Sequence, residues 1–371
     1  MPGPRQSAST VSALKTITID GQFKMLRGSI ESPQIAYETW GTLDAQASNA
    51  VLLFTGLSPS AHACSSTEDP SAGWWEDMVG PAKPIDTNRY FVICVNSLGS
   101  CFGSTGPASK DPKTNDYFRL SFPVLTVEDI ANAASHVLDE LGVARAHTVV
   151  GSSMGGMTAL AFTLQHPHRA NRLVSCSSAA RSLPFSIALR SLQREMIRKD
   201  PAWQDGNYTI GSDGPVTGMR LARKLGMITY RSAAEWAERF GRERATDFGE
   251  ADNPFGIDFE VESYLESHAN RFIGTFDANC YLYLSRAMDL FDAADYGGSL
   301  SASFASLDLK EALVIGVESD FLFPVQQQEE LALALDEHVH SVQFIRMPSI
   351  QGHDSFLVDM DRFRPAIAEF F

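Results

Sequence analysis

Gly151-Ser152-Ser153-Met154-Gly155-Gly156 places a serine between two glycines in the pattern G-x-S-x-G. A serine hydroxyl attacks an acyl carbon only when a base takes its proton and an acid orients that base. The pattern follows an apolar run, Thr148-Val149-Val150, and opens a helix-like run through Met157, Ala159, Leu160, Ala161 and Leu164. Strand before and helix after is the context of a nucleophile elbow, in which the serine sits on a sharp turn. Such a turn leaves no room for side chains two positions either side, so Gly151 and Gly155 are physically required. The start of the helix also turns backbone N–H groups and a positive dipole end toward developing negative charge. Ser153 is therefore the candidate nucleophile of acyl chemistry through a covalent seryl intermediate.

On an elbow of this kind the acid and the histidine follow in that chain order, each after a later strand. Asp320 comes just past the apolar run Ala312–Val317, and His353 just past Val342–Arg346. Glu318 is the rival acid, while Asp354 is too near His353 in sequence to orient it easily. His136, His147, His166, His168, His338 and His340 read as residues of helices or helix ends at the surface. His62 follows an early strand and is a candidate to line the site; His268 falls in the helical stretch described below. The oxyanion hole should use the N–H of Met154, next to the nucleophile. Its second donor should come from Gly56-Leu57-Ser58-Pro59, with Leu57 the choice and Gly56 as a plain turn residue the bland alternative.

These residues need a sheet to hold them. Short β-rich runs at Gln34–Tyr37, Ala50–Thr55, Tyr90–Val95, His147–Gly151, Arg172–Cys176, Ala312–Val317 and Val342–Arg346 alternate with helical patterns, the mark of a mostly parallel sheet covered on both faces. Thr126–Leu141 has helical spacing and stops at Gly142. From Leu183 to Leu300 only helical segments are read: Phe185–Arg198, Val216–Tyr230, Ala233–Phe240, Val261–Phe272 and Asn279–Phe291, with a polar loop at Gly241–Asp258. The expected architecture is an α/β-hydrolase fold with an inserted helical cap: core 11–182 and 301–371, cap 183–300, and a disordered tail 1–10.

A net charge of −15 argues against nucleic acid and anionic membrane surfaces as partners. No apolar run approaches the roughly 20 residues of a spanning helix, and the first ten residues lack the apolar core of a signal peptide. Five cysteines, widely spaced and odd in number, suit free thiols in a reducing cytoplasm better than a disulfide frame or a zinc site. No metal is expected.

With these residues in hand, the chain resembles the homoserine O-acetyltransferase family, most closely its serine O-succinyltransferase branch. The resemblance rests on the elbow through Met157, Gly73-Trp74-Trp75, Asn96-Ser97-Leu98-Gly99-Ser100-Cys101, Gly103-Ser104-Thr105-Gly106-Pro107, Thr229-Tyr230-Arg231, Phe276-Asp277-Ala278-Asn279, Asp320-Phe321-Leu322-Phe323-Pro324 and Gly352-His353-Asp354. These blocks span nearly the whole chain. The branch rests on Gly56-Leu57-Ser58-Pro59 and on Leu183–Ala188 leading into Arg190. The resemblance implies a cytoplasmic homodimer paired through its caps, with no permanently bound cofactor. It also implies a ping-pong reaction in which Ser153 takes an acyl group from acyl-CoA and passes it to L-serine or L-homoserine. By position, Arg223 would hold the acceptor carboxylate and Asp354 its ammonium group. Succinyl carries a carboxylate that acetyl lacks, and Arg190, with Arg194 and Arg198 behind it, is the candidate to read it. Those three arginines equally suit one solvated helix face or the phosphates of coenzyme A. A plain esterase or thioesterase and a non-catalytic binding module are the other readings of the same scaffold.

Overall fold

The computed structural model describes residues 13–245 and 254–371, so the expected tail 1–10 and part of the expected loop 241–258 lie outside the described residues. Eight strands form one sheet: β1 (Lys15–Thr18), β2 (Gln34–Trp40), β3 (Ala50–Phe54), β4 (Phe91–Val95), β5 (Ala146–Ser152), β6 (Ala170–Cys176), β7 (Glu311–Val317) and β8 (Ser341–Met347). Their spatial order is β1-β2-β4-β3-β5-β6-β7-β8. β1 and β2 pair antiparallel and β2 meets β4 antiparallel, while all later neighbours are parallel. Every residue of β3 is buried, as an apolar strand sandwiched between helical layers must be. β1 is the strand the apolar runs do not announce, because it is short, lies at the edge and is mostly exposed.

Helix α1 (Val127–Glu140) starts on a reciprocal cap between Thr126 and Asp129 and ends just before Gly142 at φ 71°. Helix α2 (Met154–Gln165) begins at the residue after Ser153 and is buried along almost its whole length. Between β6 and β7 come α3 (Pro184–Arg198), α4 (Val216–Tyr230), α5 (Ala233–Phe240), α6 (Glu260–Phe272) and α7 (Ala278–Leu290). No sheet strand lies among the described residues of that interval. Its two ends meet: Arg181 bridges Asp292, and the Ala293 N–H donates to Ala180 O at 2.8 Å. After β7, α8 (Val325–Asp336) leads to β8, and α9 (Met360–Phe370) closes the chain. Two apolar clusters, one holding Ile130, Leu160 and Phe162 and the other Trp75, Val174 and Phe363, contain the buried core. No helix of the described residues is long and apolar enough to cross a membrane.

Candidate active site

The C-terminal ends of the parallel strands gather at one edge, and the chemistry collects there. Ser153, between β5 and α2, sits at φ 55°, ψ −126°, a conformation that costs a non-glycine residue about 1–3 kcal/mol. Two contacts hold it: its N–H donates to Cys176 O at 3.0 Å, and Ser178 Oγ donates to its carbonyl at 2.7 Å. The glycines are required as expected. A Cβ on Gly151 would come 2.0 Å from Gly155 O, and one on Gly155 would come 2.4 Å from Phe54 O.

Ser153 Oγ lies 2.8 Å from His353 Nε2, and His353 Nδ1 lies 2.7 Å from Asp320 Oδ2. The other Asp320 oxygen accepts the N–H groups of Leu322 and Phe323, each at 2.9 Å. A carboxylate can only accept, so the ring proton belongs on Nδ1 and Nε2 is free to take the serine proton. The imidazole is packed against Phe323 at 5.2 Å, Tyr230 at 5.9 Å and Phe356 at 6.0 Å between ring centres, which fixes its plane. Burial opposes its protonation, but the charge and hydrogen bond of Asp320, helped by Asp354, outweigh that and raise its pKa. Glu318, the rival acid, instead pairs with Arg346 at 3.0 Å on the surface.

At the start of α2, the Gly156 and Met157 N–H groups fold back on Ser153 O, at 3.0 and 3.3 Å. As first-turn residues, Met154 and Gly155 have no intrahelical acceptor for theirs. Met154 is wholly buried and offers only its backbone, whereas Leu57 stands in the cavity wall.

That cavity, about 160 Å³, is lined by Ser153, His353, Leu57, Arg190, Arg223 and Asp354 together. The three arginines of α3 do not share a solvated face. Arg190 is only 4% exposed; its Nε donates to Asp289 at 2.7 Å and its Nη2 to Ser182 Oγ at 2.6 Å, while Nη1 has no partner. Arg194 takes the second Asp289 oxygen at 2.6 Å, and Arg198 lies over the Trp203 ring at 5.8 Å. Arg223 lies over Phe272 at 4.6 Å, with its Nε buried and unpartnered. Asp354 sits 3.7 Å from Arg231 Nε. Burial raises the pKa of its carboxyl, although His353, Arg231 and Arg223 pull the other way.

Several histidines differ from expectation: His166, at the end of α2, is half-buried with its Nε2 unpartnered, and His340 directly precedes β8. His62 is not a lining residue of the cavity; Glu38 holds its Nδ1 at 2.9 Å and Ser71 O its Nε2 at 2.9 Å. His147 lies on β5, where the β-rich run His147–Gly151 already put it, and not at a helix end; it is half-buried against Tyr90 at 5.0 Å. The cavity also draws on Trp74, Gln193, Tyr230 and Tyr281, to which no site role was assigned from sequence. Trp74 and Tyr230 fall in family-like motifs, the one signal that pointed near them; Trp74 Nε1 is buried without a partner. Among the described residues no group of His, Cys, Asp or Glu side chains is placed to hold a metal ion.

Residues 49–356 match the alpha/beta hydrolase fold family. The chain is 56% identical over 360 residues to a serine O-succinyltransferase of Litchfieldella anticariensis, covering 96% of this chain and 98% of that protein. It is 56% identical over 344 residues to a serine O-succinyltransferase of Stenotrophomonas maltophilia, covering 92% and 93%. Among solved structures, homoserine O-acetyltransferase from Bacillus anthracis superposes with a TM-score of 0.88 at 27% identity, covering 96% of both chains. Esterase E22 superposes at 0.85 with 26% identity, covering 96% and 99%. The serine, histidine and aspartate at the ends of this sheet thus belong to an acyltransferase of the α/β-hydrolase fold, a member of the homoserine O-acetyltransferase family on its serine O-succinyltransferase branch.

Proposed function

We propose that the protein transfers the succinyl group of succinyl-CoA to the hydroxyl of L-serine, giving O-succinyl-L-serine and free coenzyme A. In the first half-reaction Ser153 Oγ attacks the thioester carbonyl while His353 Nε2 takes its proton. The oxyanion rests on the N–H groups of Met154 and Leu57, and the thiolate leaves with the proton from His353. In the second half, His353 takes the proton of the amino-acid hydroxyl, which attacks the seryl ester. His353 then returns a proton to Ser153 Oγ as the product leaves. Asp320 holds the imidazole in the required tautomer throughout.

The observation that carries this reading is the charge inventory of the cavity. O-succinylserine has two carboxylates and one ammonium group. The cavity offers two guanidinium groups with a buried, unpartnered nitrogen, Arg190 Nη1 and Arg223 Nε, and one carboxyl, Asp354. We assign Arg190 to the succinyl carboxylate, Arg223 to the amino-acid carboxylate and Asp354 to the ammonium group. An acetyl donor would leave Arg190 Nη1 unused, which counts against homoserine O-acetylation, the second reading. Serine and homoserine differ by one methylene, worth only about 1–3 kcal/mol of discrimination. The serine assignment is supported by the names of relatives 52–56% identical to this chain.

The helical segment 183–300 is assigned the role of a cap that keeps water from the acyl-enzyme, on a core formed by 11–182 and 301–371. Its exposed Leu221 and Ile228 on α4, 40% and 45% accessible, support a homodimer paired through caps; a place in the cytoplasm is supported only by the biosynthetic enzymes it resembles. The deciding experiment sets succinyl-CoA and acetyl-CoA against L-serine and L-homoserine, following free thiol and O-acyl product. Succinyl-CoA with L-serine should give the highest kcat/KM. Thiol release indifferent to the acceptor would replace transfer with hydrolysis, and preference for acetyl-CoA with L-homoserine would replace the substrate pair.

A further inference from the structure

Three of the five tryptophans settle their indole N–H inside the protein. Trp40 donates to Cys64 O at 3.1 Å, Trp75 to Phe356 O at 2.9 Å and Trp203 to Asn279 Oδ1 at 2.9 Å. A buried indole N–H ordinarily finds such an acceptor. Those of Trp74 and Trp236 are buried with none among the described residues. Of these two, only Trp74 stands in the wall of the catalytic cavity.

Trp74 is held firmly there. Its ring lies flat on Trp75, with centres 5.3 Å apart and planes 13° apart. Its N–H donates to His62 O at 3.2 Å, and the Trp75 N–H donates to Ala63 O at 2.9 Å. Gly73 permits this close approach, since a Cβ there would stand 2.2 Å from the Ala63 carbonyl carbon. Glu76 fastens the same loop by accepting the N–H groups of Ser65 at 2.7 Å and Gly73 at 3.0 Å. The indole donor is thus fixed in position and left without an acceptor, the condition already met in Arg190 Nη1 and Arg223 Nε.

An indole N–H is a single neutral donor, suited to one neutral oxygen, whereas a carboxylate is better gripped by the fork of a guanidinium. On the acyl-transfer reading above, on which this step rests, the thioester oxygen goes to Met154 and Leu57. The two carboxylates go to Arg190 and Arg223, and the acceptor hydroxyl to His353. What remains beside the sulfur is the arm of coenzyme A, a cysteamine unit joined through an amide. We propose that Trp74 Nε1 donates to the carbonyl of that amide, making Trp74 a specificity-determining residue for the leaving thiol. Pro59, Phe356 and Leu357 line the same cavity and offer the methylenes of that arm apolar surface. No bond forms or breaks at Trp74; its hydrogen bond holds the sulfur-bearing arm while Ser153 attacks.

The test measures the second-order rate at which three thioesters acylate Ser153, read by intact mass and released thiol. The donors are S-succinyl-N-acetylcysteamine, with the amide; the ester of pentanethiol, of like length with no carbonyl; and the matching methyl ketone, with the carbonyl and no N–H. Trp74→Phe keeps the stacked ring and loses the donor. It should slow the amide and ketone donors by about five- to tenfold, the worth of one neutral hydrogen bond, and leave the pentanethiol ester near its wild-type rate. Equal losses with all three donors would make Trp74 a packing residue and overturn the proposal. In the wild type the ketone should track the amide; a ketone no better than the pentanethiol ester would also overturn it, and that comparison needs no variant to fold. Failure of every thioester to acylate Ser153 would instead sink the acyl-transfer reading itself. Acetyl esters of the same three thiols give the same comparison, so an error in the succinyl assignment alone leaves the result for Trp74 readable.

Discussion

The sheet edge and the helical segment meet the same cavity in opposite ways. At the sheet edge the polar atoms that do the chemistry are already engaged: Asp320 accepts three hydrogen bonds, and both nitrogens of His353 have partners. On the helical side, Arg190 Nη1 and Arg223 Nε are buried with none. An unpaired buried donor costs about 1–3 kcal/mol, a cost removed when a ligand carboxylate arrives. A paired array holds its geometry before substrate binds, which is what charge development in a transition state requires. Unpaired donors keep their hydrogen bonds for the ligand, which is what selection requires. On the proposed assignment, catalysis and selection are divided between two parts of the chain, and substitutions can separate them.

The largest effect should come from the paired array. Ser153→Ala should lower turnover by about 10⁶-fold and abolish the succinyl adduct seen by intact mass after mixing with succinyl-CoA. A variant that still acquires the adduct would remove Ser153 as nucleophile. Asp320→Asn should cost about 10⁴-fold in kcat, because the wrong tautomer then faces Ser153. It should also move the pH profile. His353 must be neutral to accept a proton, and its pKa is raised, so the acid limb of kcat/KM should lie above the ordinary histidine value of about 6.5. Removing the Asp320 charge should shift that limb to lower pH; an unmoved limb would mean that another group titrates.

Smaller effects should come from the unpaired side. Arg190→Met should lower kcat/KM for succinyl-CoA by about 10–100-fold, the worth of one charged hydrogen bond, while acetyl-CoA changes little. Equal losses with both donors would show that Arg190 acts through its buried pairing with Asp289 and not on the ligand. The smallest effect belongs to Glu318→Gln. Its exposed pairing with Arg346 is worth about 0–1 kcal/mol, so activity and thermal midpoint should stay near wild type. A large loss of activity would reopen the choice of acid.

The same division governs what could be read from sequence. Buried parallel strands are continuous apolar runs, and the nucleophile, acid and histidine follow such runs in a fixed order. Ser153, Asp320 and His353 were therefore legible from local pattern alone. Arg190 was legible as a residue but not as an environment. Its helix reads as amphipathic with arginines on the wet face, yet Asp289, which buries it, lies 99 residues later in the chain. Trp74, Gln193 and Tyr281 come together only through tertiary packing that no local spacing encodes. His62 failed for a similar reason: the loop after β3 turns back toward Glu38 of β2, and the ring is spent on that contact.

Gly155 has a further consequence. The atom that a side chain there would strike is Phe54 O, the last carbonyl of β3, two residues before Gly56 and three before Leu57. The turn that carries Ser153 and the loop proposed to supply the second oxyanion donor are therefore cast against each other with a hydrogen atom's clearance, so neither can be re-aimed alone. A lineage exploring new acyl groups or acceptors would find this half of the active centre closed to gradual adjustment, and would have to write its changes into the helices opposite.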